Sequence, residues 1–259
     1  MTLADTIPAV QDRIAAAARR AGRDPASVTL VAVTKTVPAE IVLEACQLGL
    51  RDFGENRVEA AGEKISNIKY QISKRNIPSA YVSPCAQGEA LLPTPYSLLP
   101  TPHFHMIGHL QSRKAREAID LFDSIHSVDS LKLADKLSRL CVEAGRVMPA
   151  LLECNVSGEA SKYGFQPRLE RDWLAAVDAI LALPGLRVEG LMTMAPVVSQ
   201  PEQARPVFVA MRQLGQQCAA RFGAEHFRHL SMGMTDDFEV AIEEGATAVR
   251  IGRALFGER

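Results

Sequence analysis

Charge of one sign is missing from this chain. Its 29 Lys and Arg stand against 30 Asp and Glu, a formal net charge of -1. Such balance gives no general attraction to nucleic acid or to an anionic membrane surface, so neither is expected as a partner. Long apolar runs are missing too. Nothing approaches the roughly 18 apolar residues that a membrane-crossing helix needs. The first stretch, MTLADTIPAVQDRIAAAARRAGRD, is amphipathic and carries acids, without the apolar centre of a secretory signal. A cytoplasmic protein is expected. Cysteine is sparse: Cys46, Cys85, Cys141, Cys154 and Cys218 are odd in number and scattered, with no C-x-x-C. That argues against a disulfide framework or a zinc site, and for buried free thiols in a reducing compartment.

What is present is length and alternation. A chain of 259 residues with 47% hydrophobic content can bury one large core, and α/β barrels routinely reach this size as one domain. Residues 7–22 repeat apolar groups at helical spacing, and after Asp24-Pro25 comes VTLVAVTK, a β-branched run ending at Lys35. Pro38 opens a helix, AEIVLEACQLG, closed by Gly49. RDFGEN follows, then a polar helix over 57–69. Strands are expected at 104–108, 122–128, 148–156, 186–194, 227–234 and 248–252, each followed by a helix or helical turn. Asp129 or Ser130 caps the helix after the fourth strand, and Asp236 begins the one after the seventh. About eight strand–helix units predict a parallel sheet with helices outside it. In this length a single (β/α)8 TIM-type barrel over 1–259 fits better than an open doubly wound sheet. No G-x-G-x-x-G follows the first strand, which weakens a Rossmann arrangement.

One segment breaks the rhythm. Residues 70–103 carry LLPTP twice, at 91–95 and 98–102, with four prolines in 93–102. Neither helix nor interior strand tolerates that density. A Pro-rich, low-complexity insert in a surface connection is expected, with an SH3-like ligand as the functional alternative.

In an α/β barrel the chemistry sits at the carboxyl ends of the strands. After the first strand stands Lys35. Burial there would disfavour its charged form, and a neutral amine is what Schiff-base chemistry needs. Alternatively Lys35 snorkels to the rim. After the second strand, Asn56 could hydrogen-bond a phenolate oxygen or support Lys35, or it could cap a helix. His109 follows the third strand as a candidate base or ligand contact. His103 and His105 share a strand face but lack a third metal partner. After the fifth strand, SGEASKYGF reads as a mobile lid or a turn, with Lys162 as a candidate anion contact or a solvated lysine. Ser231-Met232-Gly233-Met234-Thr235-Asp236 is a glycine-containing turn feeding a helix, an arrangement that can cradle an anion. Thr235 or Asp236 also reads as an ordinary cap, with Glu239 at capping-box spacing. Arg250-Ile251-Gly252-Arg253 ends the eighth strand; Gly252 allows close backbone approach and Arg253 adds charge. Barrels often bind phosphate between these last two loops. A lysine and a phosphate site in one barrel mouth suit a phosphorylated aldehyde or the sugar-phosphate substrate of a Schiff-base aldolase.

Taken in order, VAVTKTVP, FGENRVEA, FHMIGHLQSRKA, SKYGF, GLMTMAP and HLSMGMTDDFEVAIEEGATAVRIGRALFG resemble the pyridoxal-phosphate homeostasis protein family, from about residue 7 to 259 outside the insert. The resemblance implies a single barrel similar to the N-terminal domain of bacterial alanine racemase, with pyridoxal 5′-phosphate (PLP) as cofactor. It implies Lys35 as the Schiff-base lysine, and Ser231, Gly233, Gly252 and Arg253 around the phosphate. Asn56, Met192 and Met234 would lie beside the cofactor, and Arg250 would face its pyridine nitrogen. A guanidinium there keeps the ring unprotonated and makes it a poorer electron sink. Arg250 could also be a rim ion pair, but if buried it must be paired or bound. Two departures stand out: position 253 is Arg, where a small hydroxyl residue is frequent in the family, and the connection at 70–103 is long.

Three functions follow. The resemblance implies a carrier of PLP without catalytic residues, whose partners are PLP-accepting apo-enzymes or a regulatory protein; with no dimerisation domain expected, a cytoplasmic monomer is expected, and no metal. An amino-acid racemase needs an acid–base group on each face of the substrate carbon. In the similar racemase a further domain supplies the second one, and that domain is not expected here, since Arg259 follows the last barrel unit. An aldolase would use Lys35 directly and carry no bound chromophore.

Overall fold

The computed structural model describes residues 2–75, 101–159, 162–167 and 170–257. Among these, eight strands pair in chain order into a closed barrel. They are β1 (Thr29–Val33), β2 (Asp52–Glu55), β3 (His103–Met106), β4 (Ser124–Val128), β5 (Met148–Glu153), β6 (Leu186–Met192), β7 (His229–Met234) and β8 (Ala248–Ile251). Every pairing is parallel, and β1 closes the ring against β8 with Thr29 opposite Ala248 and Val31 opposite Arg250. The expected (β/α)8 barrel is what forms.

The helices are α1 (Leu3–Arg20), α2 (Ala39–Gln47), α3 (Val58–Arg75), α4 (Ala115–Leu121), α5 (Leu131–Glu143), α6 (Glu170–Leu181), α7 (Arg205–Phe222), α8 (Phe238–Glu243) and α9 (Arg253–Phe256). The first shows how sequence makes structure. Leu3, Ile7, Val10, Ile14, Ala17 and Ala18 recur at three- and four-residue spacing and are buried. Thr2 caps the helix, its backbone N–H and its hydroxyl both donating to the Asp5 carboxylate, at 2.8 and 2.7 Å. The polar face of α1 carries Arg13 and Arg20, which pair with Glu239 and Glu243 of α8. Strands β4, β5 and β8 are buried at nearly every position, as befits a parallel sheet covered on both faces. The fully buried Phe53, Phe104, Phe122, Phe208 and Phe238 contribute the largest pieces of the core.

Several boundaries differ from expectation. Helix α3 runs on to Arg75 because Ile65, Ile68 and Ile72 continue its buried stripe through a proline-free stretch. Residues 70–75 of the expected insert are therefore helical. Strand β3 begins at His103, behind a buried Pro102. The rest of the LLPTP repeat lies outside the described residues, apart from Thr101. Ser130 does cap α5, accepting from the Leu133 N–H at 3.3 Å. Helix α8 starts not at Asp236 but after Asp237, whose carboxylate accepts from the Met234 N–H at 2.6 Å. Cys46, Cys141, Cys154 and Cys218 are buried free thiols, and Cys85 lies outside the described residues. No described helix is long and apolar enough to cross a membrane.

Candidate functional site

At the carboxyl ends of β1, β7 and β8 lies a cavity of about 630 Å³. That volume falls in the range typical of small-molecule sites. Lys35, Met234, Thr235, Arg250, Gly252 and Arg253 line it, with Val33, Thr36 and Phe256. One pocket thus gathers the lysine turn and the two turns expected to hold a phosphate.

Lys35 is exposed at this rim. Of burial and the rim, both open from sequence, the rim is what forms, and the reason is local. Thr34 is the last buried residue of the run; its N–H donates to Gly54 O at 2.9 Å. The chain then turns out of the barrel, and Val37 N–H closes the turn on Thr34 O at 2.9 Å. Among the described residues the Lys35 amine makes no hydrogen bond or ion pair.

Arg250 is the opposite case. It is 4% exposed and spans the interior. Its guanidinium donates to Ser231 O at 2.8 Å, to Ser231 Oγ at 2.7 Å and to Thr193 O at 2.8 Å. Arg250 is therefore bound rather than ion-paired at the rim. Burial pulls it down to about 10, against the pull of Glu153 and Asp237. Because the Ser231 oxygen accepts from Arg250, its proton is left for Nδ1 of His126, 3.2 Å away. His126 is held neutral, well below its ordinary range, first by burial and then by the charges of His105 and Arg250.

Glu153, ending β5, is 4% exposed, and its Oε2 has no hydrogen-bond partner. Burial, and then Asp129, push its carboxyl up to about 7, while Arg250 opposes them. Gly233 has φ +91°, and an added Cβ would sit 2.6 Å from Ala241 Cβ and 2.9 Å from Phe238 Cα. It is required by the strand's packing on α8, a reason different from ligand approach. Gly252 is unlike it: φ is -118°, and the nearest atoms a Cβ there would meet belong to Val33, no closer than 3.4 Å. A Cβ there is in ordinary van der Waals contact, so protein neighbours do not demand glycine at 252.

The remaining expected residues are placed elsewhere or bound internally. Met192 is fully buried, in register with Ser231, and Ser231 itself is fully buried. Arg253 is half-exposed and paired with Asp236. Asn56 lines a separate cleft of about 370 Å³ with Gly108 and His109. It does not cap α3: Arg57 O accepts the first helical bond, from Ala61 N–H. His109 Nδ1 lies 3.0 Å from Asp129, and its ring stacks on Tyr163 with centroids 3.7 Å apart. Lys162 is no solvated lysine; it donates to Met194 O at 3.1 Å and pairs with Glu159. His103 and His105 both turn to Asp52, yet no described group of three ligating side chains could hold a metal ion.

His126, Glu153 and Asp237 were missed from sequence. A signal existed for Glu153, a carboxylate closing the apolar run MPALLE, and for the doubled acid in Thr235-Asp236-Asp237.

Comparison with known proteins gives the class first. The family described as "Alanine racemase, N-terminal domain" matches residues 7–259. The pyridoxal phosphate homeostasis protein of Pseudomonas aeruginosa is 40% identical over 258 residues, covering 100% of this chain and 96% of that protein. The protein of the same name from Aquifex aeolicus is 36% identical over 259 residues, covering 100% and 99%. The structure of PipY from Synechococcus elongatus with PLP bound is 30% identical and superposes with a TM-score of 0.76, covering 99% of this chain and 100% of that one. The chain belongs to the pyridoxal phosphate homeostasis protein family.

Proposed function

We propose that this protein binds PLP through a Schiff base on Lys35 and carries it for vitamin B6 homeostasis, without turning over a substrate. One observation carries the reading. A lysine amine with no internal partner faces a cavity whose other walls are the turns after β7 and β8. The names of the relatives and the PLP-bound PipY support it. Lys35 would supply the amine that condenses with the aldehyde carbon, a C=N bond replacing C=O with loss of one water. Gly252 leaves room for a phosphoryl group, and Thr235 and Arg253 supply a hydroxyl and a charge beside it. When bound, PLP supplies an aldehyde for capture and an aromatic ring able to accept electrons. Arg250, held by three acceptors, opposes protonation of a ring nitrogen placed near it and so weakens that electron sink. The site suits storage better than carbanion chemistry. Delivery to PLP-requiring apo-enzymes by a monomeric, cytoplasmic protein completes the reading.

The test is borohydride reduction of the PLP-treated protein, followed by peptide mass mapping. The reduced adduct is expected on Lys35, and Lys35→Ala should lose both adduct and visible absorbance band while keeping some affinity for PLP. A band unchanged in Lys35→Ala overturns the assignment.

A further inference from the structure

Lys35 has no side-chain partner, so the position of its amine is set by the backbone beneath it. That backbone is held from an unexpected direction. Lys64, on α3, reaches across to the turn between β1 and α2. Its Nζ donates to Thr34 O at 2.6 Å and to Val37 O at 3.3 Å. These carbonyls flank Lys35 and Thr36 on either side. The third partner of the ammonium is Glu55, with Nζ 2.5 Å from Oε1. A lysine ammonium has three donors and no acceptor, and here three acceptors meet it. Oε1 of Glu55 also accepts from Thr34 Oγ1 at 2.6 Å, so the carboxylate grips the same turn through a second group. Glu55 is 1% exposed and the Lys64 side chain 12%.

Burying an ion pair is a poor way to gain stability, because desolvation offsets most of the attraction. Such a pair is better explained by what it fixes. This one fixes two carbonyls, and both belong to the turn bearing the cavity's unpartnered amine. The geometry points to Lys64, seated on Glu55, as a positioning residue that sets where the Lys35 amine meets its aldehyde. This rests on the proposed role of Lys35 as covalent anchor. Without the ammonium, Val37 O loses the Lys64 donor and Thr34 O keeps only the Val37 N–H, so the turn is held by one bond and is freer to rotate Lys35 away. The phosphate side of the cavity, built from β7 and β8, shares no residue with this clamp.

The experiment uses the full chain in three forms: unsubstituted, Lys64→Met, and Lys64→Met with Glu55→Gln. The double variant removes the uncompensated buried charge and guards against simple unfolding. Three quantities are read for each: the rate of borohydride-trapped adduct on Lys35 with added PLP, the absorbance maximum of bound PLP, and the affinity for pyridoxine 5′-phosphate. The last compound has no aldehyde and reports the phosphate side alone. We expect trapping to slow at least tenfold and the band to shift in both variants, with pyridoxine phosphate affinity changed less than threefold. A merely structural role would weaken both ligands together. If the unsubstituted protein is trapped on Lys35 and the folded double variant is trapped within twofold of its rate, the clamp is overturned and the anchor stands. Parallel loss of both ligands also overturns the clamp. Absence of any adduct on Lys35 in the unsubstituted protein overturns the anchor, and the clamp with it.

Discussion

The two ends of this barrel both hold cavities that carry polar groups, and they differ in how those groups are satisfied. The carboxyl end has about 630 Å³ around Lys35; the amino end has about 410 Å³ around His103, His105, His126 and His229. By number of titratable groups the amino end looks the richer. Yet two of its histidines, His105 and His126, are committed inside the protein. His105 uses both ring nitrogens, on Asp52 at 2.8 Å and Ser124 at 2.6 Å, and His126 binds Ser231. Among the described residues, the carboxyl end presents an amine with no partner on the wall of its cavity. What marks a binding site is unused hydrogen-bonding capacity facing a void, more than a concentration of ionisable residues.

Arg250 lies between the two ends and should break the contrast most strongly. Arg250→Met leaves Ser231 and Thr193 acceptors buried without donors, at a cost of about 3 kcal/mol. Thermal melting should fall by roughly 8 °C, and PLP affinity should fall as well. A variant that melts normally would show that these contacts are dispensable. Next comes pH, which tests the amino end alone. His126 is neutral in the fold, whereas an unfolded histidine takes up a proton below about pH 6.5. The unfolded state therefore binds more protons on the acid side, and stability is lost as pH falls through that window. From pH 7 to pH 5 this amounts to about 2 kcal/mol. His126→Gln should lose less stability over the same range, with PLP trapping at pH 7 unchanged; equal acid sensitivity in the two proteins would remove His126 as the source. The smallest effect on stability belongs to Gly252→Ala. It should melt within about 0.5 kcal/mol of the unsubstituted protein, yet bind PLP at least tenfold more weakly. Normal PLP affinity in that variant would mean that the phosphate lies elsewhere.

The barrel was legible because strand and helix periods are local and alternate regularly along the chain. The candidate site was legible in part. Lys35 and the turns carrying Met234, Gly252 and Arg253 stand at strand ends, which connectivity alone places on one face of a barrel. What could not be read depends on side chains far apart in sequence. Thr34 and Glu55 look like ordinary strand residues, and Lys64 like a solvated helix residue, until the fold puts them together. Of the two placements open for Lys35, buried or at the rim, the rim forms for a related reason: the strand ends at Val33, and the turn after Thr34 leads outward. Asp237 displaced Asp236 as cap because Asp236 is drawn outward to Arg253.

Closure of β1 on β8 has a temporal consequence. Lys35 emerges from the ribosome early, and Arg250 and Gly252 only near the end of synthesis. The cavity spans the seam that joins them, so the site does not exist until the longest-range contacts of the fold have formed, the slowest kind of contact to make. A ligand held across that seam binds only the finished barrel, and by mass action it stabilises the one junction that no local interaction secures.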